Sequence, residues 1–258
     1  MKAIILSAGQ GKRLLPLTEF VPKCLLPVCD DVCSLELQLR ALARCGVERA
    51  TVVVGFGSEV VERFLRTTPI PGLAVDILLN PFYAHSDNLA TCWLARHCME
   101  DDFLLLNGDT IFEDRVVRRV LDGPSSSIAV TIDRKPAYDD DDMKVSIDDD
   151  GRLLAIGKTL KPEMVNGESI GLLCFRGSGT KCFREALDRA IRVPGALKAW
   201  YLSVVNELAQ EVSVDTVSVR GFWWREIDSA EDLNEARRSH PEASGVGAPQ
   251  IAAAGARS

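Results

Sequence analysis

Short runs of Val, Ile and Leu alternate with amphipathic helical stretches along most of the chain. That alternation predicts strands joined through helical crossovers into a mostly parallel sheet. Apolar runs at 2–6, 50–54, 74–78, 103–106 and 128–132 read as strands, with helices between them at 35–45, 57–66, 88–98 and 113–121. Beyond residue 143 the pattern changes: "KVSIDDDGRLLAIGK" reads as a hairpin turning at Asp150-Gly151, and "ESIGLLCFRG" as a further strand. Helices follow at 178–191 and 200–211, then a strand at 214–219. The sheet is therefore expected to be mixed, its later strands folding over its carboxyl edge. From Pro241 onward "PEASGVGAPQIAAAGARS" is rich in small residues, Pro and Gly without periodicity and reads as a disordered tail, leaving 1–240 as one domain.

Composition adds little to this picture until charge is considered. With 258 residues, 47% hydrophobic and 26% charged, the chain can bury one large core. A net charge of −7 argues against broad nucleic-acid binding, which needs a basic face. The first 28 residues run the other way, with Lys2, Lys12, Arg13 and Lys23 against Glu19 alone, and a positive spot in an acidic chain suits a small anionic ligand. The first apolar run is short, no small-residue cleavage site follows it, and no stretch approaches a membrane span of about 18 apolar residues. A cytosolic protein without membrane partners is expected. Eight cysteines at no CxxC spacing read as free thiols, and His85, His97 and His240 have no metal-ligating spacing.

The chemistry concentrates in "AIILSAGQGKRLLPLTEFVPKCLLPV", residues 3–28, where a buried strand breaks into Gly9-x-Gly11 with Arg13 just beyond and Lys23 returning after Pro22. A dinucleotide-binding loop needs a third glycine at position 14, where Leu14 stands, and a P-loop needs four residues between its glycines where this chain has one. What remains is a turn whose N–H groups can cradle phosphates, flanked by two cations.

This stretch resembles the G-x-G-x-R…P-K signature of nucleotidyltransferases that activate sugar phosphates and small phospho-alcohols. "NPFYAHSDNLATCWLAR" at 80–96 and the overall length place the nearest likeness in the phosphocholine cytidylyltransferase-like branch. The resemblance covers roughly residues 1–238. It implies an α/β class, a Rossmann-like mixed, mostly parallel sheet flanked by helices, like the nucleotide-diphospho-sugar transferases. It also implies a nucleotide-binding set of Leu6, Ala8, Gly9, Gln10, Gly11, Lys12, Arg13 and Lys23 in the loop, with Gly55, Ser86, Asn88 and Gly108.

"FLLLNGDTIF" ends a buried strand in Asn107-Gly108-Asp109, placing a carboxylate at the carboxyl edge of the sheet where ligands of open α/β sheets bind. "WWREIDSAEDLNEA" delivers Glu226 and Asp228 just before a helix. By the resemblance Asp109 and Asp228 hold Mg²⁺, with Glu226 in reserve, and Arg13, Lys23 and Asp109 are the catalytic residues. Magnesium prefers such hard oxygen ligands and takes the rest of its shell from water and substrate phosphates.

The implied reaction is attack of an acceptor phosphate or phosphonate oxygen on the α-phosphorus of a nucleoside triphosphate, releasing pyrophosphate. The acceptor is already an anion, so the site needs cations and alignment in place of a general base. Lys158, followed by Glu168, resembles the family's acceptor lysine and its following strand, although Gly157-Lys158-Thr159 departs from the Glu-Lys-Pro of sugar-activating relatives. Lys144 is a second candidate. Ser86-Asp87-Asn88 and the missing Glu-Lys-Pro favour CTP with a small phospho-alcohol or phosphonate, such as phosphocholine, over a sugar 1-phosphate. A cationic acceptor would want an acid and an aromatic face, for which Asp139–Asp142 and Trp93, Trp200, Tyr201, Trp223 and Trp224 are candidates. A related glycosyltransferase would need an Asp-x-Asp site, and Asn107 occupies the first of those positions. A nucleotide-binding module without turnover would have lost the lysine or the aspartates.

Overall fold

A computed structural model describes residues 1–241; all of the expected tail but Pro241 lies outside the described residues. The chain begins with β1 (Lys2–Ser7), whose Ile4 and Ile5 are fully buried, and passes through a hairpin of β2 (Pro27–Cys29) and β3 (Val32–Cys33) into α1 (Ser34–Arg44). Then come β4 (Arg49–Val54), α2 (Ser58–Thr67), β5 (Ala74–Leu79) and α3 (Asn88–Leu94). The expected helix at 88–98 tightens after Leu94 into a 3₁₀ turn over Ala95–Cys98, a common way for a helix to end. β6 (Phe103–Asn107), β7 (Thr110–Phe112) and α4 (Asp114–Leu121) complete this half.

The second half holds β8 (Ile128–Asp133), the hairpin of β9 (Lys144–Ile147) and β10 (Leu153–Ile156), the long β11 (Gly167–Phe175), and α5 (Ser178–Ala190). It ends with α6 (Tyr201–Glu211), β12 (Asp215–Ser218), β13 (Trp224–Glu226) and α7 (Ala230–Ser239).

Among the described residues, nine strands form the central sheet. β6, β1, β4 and β5 run parallel, as crossover helices demand, whereas β11 lies antiparallel to both β6 and β8. The sheet is thus mixed, and helices cover both faces over two apolar layers. Only Leu172–Phe175 of β11 pair with β6, while its first residues pair with β9. Because β11 runs opposite to β6, those first residues and the β9–β10 hairpin project past the carboxyl end of β6 and build a wall over it.

The short strands β2, β3, β7 and β13 have two or three residues each, too few to leave a period in the sequence. One of these pairings matters most. β13 pairs antiparallel with β7, Glu226 opposite Thr110, and the Ile227 N–H donates to the Asp109 carbonyl at 3.0 Å. The segments before and after these strands carry Asp109 and Asp228.

Candidate active site

The carboxyl ends of β1 and β6 meet at the floor of a cleft of about 370 Å³. Gly108 makes this meeting possible: its N–H donates to the Leu6 carbonyl at 3.0 Å, and a Cβ there would fall 2.1 Å from Ser7 Oγ. Gln38 of α1, fully buried, donates through Nε2 to the carbonyls of Asn107 (2.8 Å) and Thr110 (2.7 Å) and so clamps both sides of the turn that presents Asp109. Gln38 occupies the apolar stripe between Leu35 and Leu42, and that misplaced polar residue was the signal available in sequence.

Asp228 is aimed from the other side. Ser229 caps α7 by accepting from the Asp232 N–H, and the Asp232 carboxylate accepts from the N–H groups of Ser229 (2.7 Å) and Asp228 (3.1 Å). Asp109, Glu226 and Asp228 each bring a carboxylate oxygen within 4.8 Å of the others. Asp109 Oδ1 is buried without a hydrogen-bond partner. Such a set of hard oxygens, one of them unsatisfied, fits a magnesium ion held by two carboxylates.

Cations answer these acids. Lys23 Nζ donates to Asp109 Oδ2 at 3.0 Å and to Asp228 Oδ1 at 2.5 Å, with the lysine side chain only 13% exposed. Burial depresses the Lys23 ammonium less than the two aspartates raise it, so it stays charged. Cys24 beside it is a neutral thiol, pushed up to about 12 by burial. Arg13 donates to Asp228 Oδ2 at 2.6 Å and to Asp141 Oδ2 at 2.8 Å. Glu226 lines the same cleft and is exposed to solvent. Desolvation, and then the charges of Asp109 and Asp228, push its carboxyl up to about 8.

The structure brings most of the sequence-predicted residues to one place. Leu6, Ala8, Gly9, Arg13, Ser86, Asn88, Asp109, Lys158, Glu226 and Asp228 line the cleft, and Gly11, Lys23 and Gly108 line an adjoining recess of about 100 Å³. Gly55 backs the wall; a Cβ on it would meet the Ala8 carbonyl and Tyr83 Cβ at 2.6 Å. Gln10 turns away to the Thr18 carbonyl, and Lys12 is exposed outside both cavities. Lys144 is buried behind Lys158, donating to its backbone carbonyl at 3.1 Å. Glu168 also stands behind the wall, 2.9 Å from Lys135 Nζ, which contacts Asp142 at 2.8 Å.

Asp87 takes the N-cap position of α3, yet its side chain makes no capping bond and lines the cleft instead. Asn88 Oδ1 accepts from the Tyr201 N–H at 2.9 Å, tying α3 to α6, and the buried Tyr201 hydroxyl donates to Asn107 Oδ1 at 3.0 Å. Of the aromatic candidates Trp200 lines the cleft, its ring 4.9 Å from Lys158 Nζ. Trp93 and Trp224 donate their indole N–H groups to Asp188 and Asp133. Tyr83 and Thr91 also line the cleft; neither stands in a pattern that sequence reading could separate from a loop and a helix face.

A mixed α/β sheet with acids and cations gathered at the carboxyl ends of its central strands defines an enzyme that handles phosphorylated nucleotides at a sheet edge. Residues 2–140 match the Nucleotidyl transferase family, and the chain belongs to that family. It is 27% identical over 232 residues to the 2-aminoethylphosphonate cytidylyltransferase of Lancefieldella rimae, covering 90% of this chain and 89% of that protein. It is 26% identical over 238 residues to the bifunctional IPC transferase and DIPP synthase of Aquifex aeolicus, covering 92% of this chain but only 51% of that protein's length. The structure of a CTP:phosphocholine cytidylyltransferase from Streptococcus pneumoniae shares the fold at a TM-score of 0.75 and 19% identity, over 92% of this chain and 97% of that one. No helix among the described residues is long and apolar enough to cross a membrane.

Proposed function

We propose that this protein transfers CMP from CTP to a small phosphorylated alcohol or phosphonate, releasing pyrophosphate. The observation that carries the reading is the convergence of Lys23 on Asp109 and Asp228, three residues from distant segments joined at 3.0 and 2.5 Å. Relatives that act on 2-aminoethylphosphonate and phosphoglutamine with cytidylyl transfer support the choice of nucleotide and acceptor class.

Two anions must be brought together for the reaction, and the residues of the cleft serve that end. Arg13 and Lys23 bind the triphosphate and draw charge away from the departing pyrophosphate. Asp109 and Asp228 would hold Mg²⁺, which supplies charge neutralisation and orients the phosphates when bound. Lys158 would hold the acceptor's phosphoryl group in line with the α-phosphorus, and Ser86, Asp87, Asn88 and Thr91, which line the cleft, are the polar groups available to base and ribose. Since the attacking oxygen is already anionic, no residue need remove a proton from it.

Pyrophosphate release measured over a panel of nucleotides and acceptors tests the proposal. Turnover of CTP with phosphocholine or 2-aminoethylphosphonate is expected, and selective turnover of a hexose 1-phosphate would overturn the acceptor class.

A further inference from the structure

Between β8 and β9 the chain runs through four consecutive aspartates, and the fold gives them separate tasks. Asp139 accepts from the N–H groups of Asp141 (2.9 Å) and Asp142 (3.2 Å), so its side chain folds the loop upon itself. Asp142 accepts from the Asp139 N–H and pairs with Lys135, anchoring the loop to the wall behind the cleft. Asp140 makes none of these contacts. Asp141 is thereby turned into the cleft, where its two oxygens divide between two cations: Oδ2 accepts from Arg13 at 2.8 Å and Oδ1 from Lys158 at 3.2 Å.

These are the two cations assigned above to the triphosphate and to the acceptor, so the inference rests on that assignment. A single carboxylate lies between them as a phosphoryl oxygen pair would. Both bridges are open to water, with side-chain exposures of 56% for Arg13, 70% for Asp141 and 27% for Lys158, so they exchange partners at low cost. Lys158 is also held over the Trp200 ring, which keeps its ammonium in the cleft when its anion changes.

We propose that Asp141 is a positioning residue that stands in for substrate phosphate, holding Arg13 and Lys158 in the cleft of the free protein and yielding them as the anions arrive.

Calorimetric titration of the full chain with inorganic pyrophosphate tests this, because that anion is released whatever the acceptor. Asp141→Asn is expected to bind it about fivefold more tightly than the wild type, the worth of an exposed ion pair no longer in competition. Asp140→Asn removes the same charge one residue away and is expected to stay within about twofold of wild type. Equal tightening in the two variants would assign the effect to net charge and overturn the proposal. Unchanged affinity in Asp141→Asn would do the same, as would an absence of pyrophosphate binding in every form. The titration uses no acceptor, so failure of every acceptor in the turnover panel would count against the proposed function and leave this result readable.

Discussion

Lys23 Nζ lies 2.5 Å from Asp228 Oδ1, although 205 residues separate them in the chain. With Asp109 on the same ammonium, one buried cation neutralises two of three clustered carboxylates.

Removing that cation should cost stability before it costs chemistry. Lys23→Met leaves Asp109, Glu226 and Asp228 facing one another, and a loss of roughly 2–4 kcal/mol in unfolding free energy is expected. Added Mg²⁺ should raise the melting temperature of this variant more than that of the wild type, because the ion supplies the missing charge. No shift in either protein would show that the carboxylates do not take the ion.

Asp109→Asn keeps the shape of the side chain and removes its charge. Pyrophosphate release is expected to fall by about 10²–10³-fold, with the circular dichroism spectrum unchanged. Near-normal turnover would remove Asp109 from the mechanism.

Gly108 is where the chain leaves room for the site. In Gly108→Ala the new Cβ would lie 2.1 Å from Ser7 Oγ and 2.7 Å from the Leu6 carbonyl, so the turn carrying Asp109 must shift. A lower melting temperature is expected together with at least about tenfold slower turnover. Wild-type values for both would mean that the β1 and β6 ends separate freely.

Glu168 predicts a pH effect of definite sign. Desolvation, only partly offset by Lys135, pushes its carboxyl up from an ordinary 4.5 to about 7, while Lys135 and the Asp139 N–H hold Asp142 below its usual value despite burial. The folded protein therefore keeps a proton on Glu168 that the unfolded chain has lost, and this group makes stability fall as pH rises from about 4.5 to about 7. Glu168→Gln cannot titrate, so its urea-unfolding free energy should decline less across that window than the wild type's. Parallel pH profiles for the two proteins would refute the assignment.

Much of this protein was determined by sequence alone, because the forces involved are local. Alternating apolar runs specify β1, β4, β5, β6 and β8 to within a residue or two, since burial of a strand or of a helix face depends on near neighbours. Gly9-x-Gly11 with Arg13 and Lys23 marks the phosphate-facing turn for the same reason. Tertiary structure decided the rest. The three-residue pairing of β7 with β13 carries no periodic signal, yet it brings Asp228 to Asp109. A run of four aspartates looks uniformly solvated until folding places Arg13 and Lys158 beside Asp141 and Lys135 beside Asp142. Glu168 likewise reads as one more charge on a strand, and only its burial in the fold, which Lys135 partly offsets, moves its titration. Electrostatic energy depends on distance through space and on lost solvent, and neither quantity is written in the spacing of residues along the chain.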